Sequence, residues 1–266
     1  MKRTFLFFLV LVLACGFLAA QEEDEGTGLS AGLEVGINNA TSDDGRSVYL
    51  MPNVVYEKSF DDLDVFVEGD YTIEFDGEDA AGEKATIQTF YLEEELGYNL
   101  HFGDASTLTL ILNNALTFNL GTNQTVNMAE DGTLDPALKF TQGFDFGDLY
   151  GQIGFPIGYP AAGFGLEFIV GCAAGFGLGA ELTCTYSVEP EAEYSETSLL
   201  LTYENGPIYG EVEVAANGEF KVWTITPEFD YSIGSFTLYV GAELGELGNP
   251  DEDFVLSPFL GVSYSF

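Results

Sequence analysis

The sequence predicts an all-β fold, a single closed, antiparallel, up-and-down transmembrane β-barrel of about fourteen strands (12–14). Three observations predict it. Apolar and polar residues alternate with period two through almost the whole chain after residue 21, as strands with one oily face require. The links between these runs are alternately tight and long, the pattern of a barrel with short turns at one rim and loops at the other. After the leader no stretch approaches 18 uninterrupted apolar residues, so a chain that crosses a membrane has to cross it with strands.

The chain opens Met1-Lys2-Arg3, runs apolar from Phe5 to Ala14 and reaches Leu18-Ala19-Ala20 before Gln21-Glu22-Glu23-Asp24. A basic start, an apolar centre and small residues at the end read as a secretory signal peptide over 1–20, leaving 21–266 as one barrel domain. Val12-Leu13-Ala14-Cys15 also has the form of a lipobox, which would make Cys15 a lipidated N-terminus. The apolar Phe17 to Ala20 would then stand where a polar tether is expected, which favours cleavage after Ala20.

The formal charge is −37, from 44 acidic and 7 basic residues. Removing the leader takes away Lys2 and Arg3 and no acid, so the mature chain is two units more negative. Such a surface excludes nucleic acid as a partner, since phosphates need basic residues. Anionic head groups would need bridging divalent cations. Cys172 and Cys184 are too few for a disulfide framework.

Each element follows from the alternation. From Leu63 to Phe75 the odd positions are Leu63, Val65, Val67, Gly69, Tyr71, Ile73 and Phe75, and acids fill most even ones. In 107–120, Leu108, Leu110, Leu112, Leu116, Phe118 and Leu120 oppose threonines and asparagines. The fourteen runs lie at about 29–39, 47–58, 63–75, 85–100, 105–120, 134–146, 149–159, 164–173, 175–187, 195–204, 207–216, 219–231, 235–245 and 254–266. Tight links fall at Phe60-Asp61, Gly147-Asp148, Ala174, Asn205-Gly206 and Ile233-Gly234. Mostly longer, acidic links such as 76–79 and 249–253 fall on the other side, where two links, near Pro160 and Asn217-Gly218, are short. Four prolines (Pro52, Pro156, Pro227, Pro258) sit inside runs although proline cannot donate to a ladder, and Glu94 and Asn114 fall on the oily face.

Alternation also describes a soluble sandwich with its oily face inward. Aromatics at the ends of the apolar face choose the barrel: Tyr56, Tyr98, Phe146, Tyr203, Tyr231 and Phe266 near the tight turns, and Phe75, Phe118, Tyr159 and Tyr186 near the long links. These are expected as interfacial girdles, with ordinary core packing as the alternative. Closure also removes the exposed strand edges. The last run reads Leu260-Gly261-Val262-Ser263-Tyr264-Ser265-Phe266. Its Gly261, Tyr264 and terminal Phe266 resemble the C-terminal signal of bacterial outer-membrane β-barrel proteins, with Phe259 a departure where that family carries a polar residue. The resemblance implies a bacterial outer-membrane location, outer-membrane lipid as surroundings and insertion by the barrel-assembly machinery.

With the oily face outward, the other face lines the lumen. The register puts Asp64, Glu68, Asp70, Glu74, Glu93, Glu95, Asp145, Glu167, Glu181, Glu211, Glu213 and Glu243 there, with Lys139 the one clear basic partner. Gly154, Gly158, Gly165, Gly171, Gly177 and Gly179 share that face and leave room. Tyr91, Tyr150, Tyr209 and Tyr239 do too, to constrict a pore, stack on a sugar or simply pack. Unpaired carboxylates are costly in a dry interior, so this composition implies water and mobile cations. Fourteen strands stand between filled eight-stranded barrels and open sixteen-stranded ones.

Chemistry of other kinds is not expected. His101, the single histidine, falls in a turn on the tight-turn side, no Cys/His set has metal spacing, and no carboxylate pair is marked for acid–base work. The acidic links 76–79 and 251–253 lack calcium-loop spacing. The sequons Asn39-Ala-Thr41 and Asn123-Gln-Thr125 are expected to be silent in a bacterium. The expectation is therefore no enzyme and no cofactor, but a porin-like channel for small hydrophilic solutes or cations. The alternative is a non-conducting barrel that binds a surface partner through acidic loops near 76–84, 121–133 and 246–253. Uptake of apolar substrates comes third, since 21–28 is too short for a plug and the lumen is acidic, and an enzyme comes last.

Overall fold

The computed structural model describes residues 28–41, 46–78, 84–103, 105–119, 131–159, 163–189, 193–250 and 253–266. The expected signal peptide at 1–20 with Cys15, most of the long links and the sequon at 123–125 lie outside them.

The elements are β1 (Leu29–Asn38), β2 (Ser47–Phe60), β3 (Leu63–Glu78), β4 (Lys84–His101), β5 (Ser106–Asn119), β6 (Asp131–Phe144), β7 (Gly147–Gly154), β8 (Ile157–Tyr159), β9 (Gly163–Ala174), β10 (Leu178–Glu189), β11 (Glu193–Asn205), β12 (Ile208–Asn217), β13 (Trp223–Ile233), β14 (Phe236–Leu247) and β15 (Val255–Ser265). Every strand pairs antiparallel with its neighbours, and β1 pairs with β15, which closes the ring. Elements β7 and β8 lie between β6 and β9 as two parts of one stave, so the barrel has fourteen staves.

The staves are staggered. From Ser30, near the tight-turn rim, successive partners are Val55, Glu68, Glu93, Ala115, Thr133, Gly158 and Gly163. Half a circuit thus climbs from one rim to the other. Carried round the ring, this shear of about 16 residues gives a strand tilt of roughly 40° and a backbone radius of about 13 Å.

All six tight turns contain a residue of left-handed backbone conformation: Asp61, Gly103, Gly147, Gly177, Gly206 and Gly234, with φ from 51° to 141°. Glycine holds five of the six because a Cβ is disfavoured there. At Gly177 the constraint is doubled, since a Cβ would also meet the carbonyl oxygen of Glu204.

Several sequence-based bounds shift. The run 134–146 is β6 over 131–144, which moves Asp145 out of the wall and into an exposed turn. The run 175–187 begins at Leu178, so Gly177 belongs to the turn and not to the lumenal face. The run 219–231 begins at Trp223. Before it, Phe220 takes φ 55° and the Asn217 side chain accepts hydrogen bonds from the Lys221 and Val222 N–H groups, a local turn that alternating letters disguise. Phe60 extends β2, and the turn is Asp61-Asp62.

The prolines sit where pairing lapses. Pro52 is in register with Leu33 on β1, but the β2–β3 pairing omits it; Pro227 pairs with Val212 and is omitted from β13–β14; Pro258 pairs with Ala242 beyond the end of β1–β15. Pro156 breaks the β7–β8 stave. There the Phe155 N–H is taken up by Asp135 Oδ1 at 2.7 Å and by the Pro136 carbonyl at 3.1 Å, while the Pro156 carbonyl accepts from Gly165.

The described residues form no dry core. Among the described residues the buried apolar ones are Leu29, Tyr71, Ala137 and Ala216, whereas Val170, Leu260, Val240 and Leu238 are 65, 61, 53 and 49% exposed on the outer face. An apolar outside of this extent needs an apolar solvent. Exposed aromatics ring the tight-turn rim, including Tyr98, Tyr203, Tyr231 and Phe266 together with Phe60, Phe102, Phe176 and Phe236, which the sequence reading did not single out. Phe144 and Phe146 stack there at 5.3 Å, and Tyr264 meets Phe236 and Phe266 edge-on. At the loop rim Phe75 and Tyr186 are exposed and Phe118 meets Phe90 at 6.0 Å.

Candidate functional site

The wall opposite the apolar face is the inside of the barrel. By strand register, Asp64, Glu68, Asp70 and Glu74 on β3, Glu93 and Glu95 on β4, Glu167 on β9, Glu181 on β10, Glu211 and Glu213 on β12 and Glu243 on β14 all point inward. The same alternation brings in Glu34 on β1, Asp135 on β6 and Glu228 and Asp230 on β13, acids the sequence reading passed over. The signal for Glu34 was present in Leu33-Glu34-Val35-Gly36. For Glu228 it was masked by Pro227 and the misplaced start of its strand.

These acids are not evenly spread. Glu68 stands directly opposite Glu93 across β3–β4, and Glu211 opposite Glu228 across β12–β13. Like charges in facing positions repel unless water or counterions intervene. Asp70 Oδ1 and Asp230 Oδ1 have no hydrogen-bond donor from the described protein groups. Together with Glu34, which lies between them on β1, they make an acidic arc from β12 through β15 and β1 to β4. Outside this arc Asp135 on β6, Glu167 on β9 and Glu181 on β10 stand singly, and β5 to β7 also turn Asn113, Thr117, Gln152 and Lys139 inward.

Tyrosines hold the acids in place. Tyr49 donates to Glu34 at 2.6 Å, Tyr91 to Glu93 at 2.7 Å, Tyr150 to Glu181 at 2.6 Å and Tyr209 to Glu211 at 2.6 Å. Two of these rings and that of Tyr239 lie over glycines: Tyr49 over Gly36, Tyr150 over Gly171 and Tyr239 over Gly261, positions where a Cβ would strike the ring. Phe259 lies likewise over Gly241, so this departure from the terminal-strand pattern faces inward and fills a glycine gap. The tyrosines are therefore laid along the wall, and each one's hydroxyl fixes a carboxylate. Asn113 adds a bond to Glu93 and Asn99 one to Asp64, both at 2.6 Å, and Asn99 accepts from Thr109 at 2.7 Å.

Lys139 packs its ammonium on the Tyr150 ring, 4.3 Å from the centroid. It borders a recess of about 370 Å³ near the tight-turn rim, lined also by Asp64, Glu95, Asn99, His101 and Thr109. His101 faces Thr107 at 3.1 Å and Asp62 at 3.5 Å, at the exposed mouth. Among the described residues no three His, Cys, Asp or Glu side chains converge as a metal ion would need. Cys172 and Cys184 are free thiols on the outer face. Outside the wall, in the 217–222 turn, Lys221 lies 2.5 Å from Glu219 and lowers the pKa of its carboxyl.

No protein-family model matches the chain, and no curated protein matches it in sequence. Among solved structures it is similar in fold to CdiB from Acinetobacter baumannii, with TM-score 0.52 and 9% identity over 90% of this chain and 60% of CdiB. The chain therefore spans about three fifths of the length of that protein. Two engineered variants of Rhodopseudomonas blastica porin are aligned more loosely, with TM-scores of 0.41 and 0.42 and identities of 14 and 13%, over 90% of this chain and 99% of theirs. At these identities the likeness concerns the fold alone, and it is the CdiB match that supports it.

Proposed function

We propose that this chain is a bacterial outer-membrane pore through which small hydrophilic solutes diffuse passively, cations in preference to anions, without catalysis and without a cofactor. The observation that carries the reading is the acidic arc with Glu68 facing Glu93 and Glu211 facing Glu228. An inner wall that sets like charges opposite one another is stable only when wet and supplied with counterions, and its field admits cations and repels anions. The N-terminal leader and the final Gly261 to Phe266 strand support export and insertion by the barrel-assembly machinery into outer-membrane lipid.

Purified protein in a planar bilayer under a tenfold KCl gradient tests this. Stepwise ohmic conductance with a reversal potential of the sign set by potassium is expected. Reversal toward the chloride potential would overturn the selectivity. A correctly folded barrel that never conducts would overturn the pore, in favour of a surface-binding role for the acidic loops.

A further inference from the structure

One cluster on the barrel does not belong to the lumen. Glu94 is exposed on the outer face of β4, between Leu92 and Leu96, four residues from Phe90 toward the loop rim and four from Tyr98 toward the turn rim. At ~3.3 Å per residue and the barrel's tilt, it stands about 10 Å from either aromatic level, in the middle of the hydrocarbon belt. It is the one carboxylate on the outward face of the described strands away from their ends. Its neighbour across β4–β5 is Asn114, whose amide donates to Glu94 Oε2 at 3.3 Å. Asn114 Oδ1 in turn accepts from the Tyr159 hydroxyl at 2.8 Å. Tyr159 reaches it from β8 by lying over Gly132 on β6, where a Cβ would strike the ring. Three residues on three staves, with a glycine slot between, thus hold a carboxyl in fixed orientation toward lipid.

Carboxyl and carboxamide groups at mid-depth of a bilayer are costly, and such groups ordinarily turn inward or meet protein. Here the inner face was one register step away, and the chain nevertheless orients them outward. The patch carries what it needs to pair with itself: Glu94 has a second acceptor oxygen, and the Asn114 amide has a second N–H. Around it Leu96, Leu112 and Leu134, 46, 44 and 36% exposed, offer flat apolar contact. We infer that this face is an interface with a second copy of the chain, in which the Asn114 amide of one barrel donates to the Glu94 carboxyl of the other and the same pair closes in return.

The test uses the whole folded protein. Native mass spectrometry from a mild detergent is expected to give a multiple of the single-barrel mass, and the Glu94→Leu/Asn114→Leu variant the single-barrel mass. In vesicles of pure protein, the photo-crosslinking residue benzoylphenylalanine placed at Leu112 is expected to join chain to chain. Placed at Phe229, 48% exposed on β13 across the ring, it is expected not to. The crosslinking leaves Glu94 and Asn114 in place, so it stands even if the double variant folds poorly. A single-barrel mass for the native chain, an oligomer that survives the double substitution, or equal crosslinking from both positions would each overturn the inference. Conductance per barrel is expected to be unchanged, which separates this result from the fate of the pore.

Discussion

Glycine at 177 and tyrosine at 150 show how much single side chains decide in this wall. Gly177 combines φ 88° with a position where a Cβ would strike the Glu204 carbonyl oxygen. Gly177→Ala is expected to cost about 1–3 kcal/mol, read as a lower urea midpoint for the detergent-folded barrel. Tyr150→Phe keeps the ring over Gly171 and under Lys139 but removes the 2.6 Å bond to Glu181. A loss of about 1 kcal/mol is expected, with the ratio of cation to anion permeability little changed, because the carboxylate stays. A large swing of the reversal potential in that variant would show that Glu181 depends on the tyrosine for its place in the ion path. Residues of this kind were only half legible in sequence. Period two put Tyr150, Gly171 and Glu181 on one face, but that the first and last bond across β9 follows from barrel curvature and from the register that sets Gly171 under the Tyr150 ring, which no local pattern encodes.

At the scale of strands, legibility tracked how far local pattern and pairing agree. Leu63 to Phe75 alternates cleanly, and β3 begins where the letters say. The letters start β13 four residues early because Glu219-Phe220-Lys221 imitates a strand while the Asn217 side chain and a left-handed Phe220 make a turn. The prolines looked like errors in the alternation and are instead positions where one of a strand's two ladders lapses, a property of the neighbour more than of the strand. The β7–β8 break makes this testable. Asp135 accepts the Phe155 N–H that the kink at Pro156 leaves over. Asp135→Ala is therefore expected to destabilise by about 1–2 kcal/mol, with faster amide exchange at Phe155 than in the native barrel; unchanged exchange would mean that the Pro136 carbonyl suffices. Restoring the hydrogen with Pro156→Ala is expected to be tolerated, since Gly165 already holds the neighbouring carbonyl.

For the molecule as a whole, the acid on the inner wall is an arc and not a uniform coat. Replacing Glu68, Glu93, Glu211 and Glu228 together by Gln removes both like-charge facings while keeping size. The reversal potential in a salt gradient is expected to move most of the way toward zero, and the same four substitutions among loop acids are expected to move it much less. Lowering the bath pH until the wall carboxylates take up protons is expected to act in the same direction as the substitutions, because neutral acids no longer concentrate cations. An equal effect from the loop substitutions would assign the selectivity to the rim. The alternation that builds this wall also matters before any wall exists. In the unfolded chain the carboxylates of β3, β12 and β14 are spaced between residues that will face lipid, and there they break up apolar runs that could seed aggregation. With a formal net charge of −37, chains in transit repel one another and themselves. Salt added to the unfolded protein at neutral pH is therefore expected to speed its aggregation, and the barrel's ion path serves, earlier in the chain's life, as its own solubiliser.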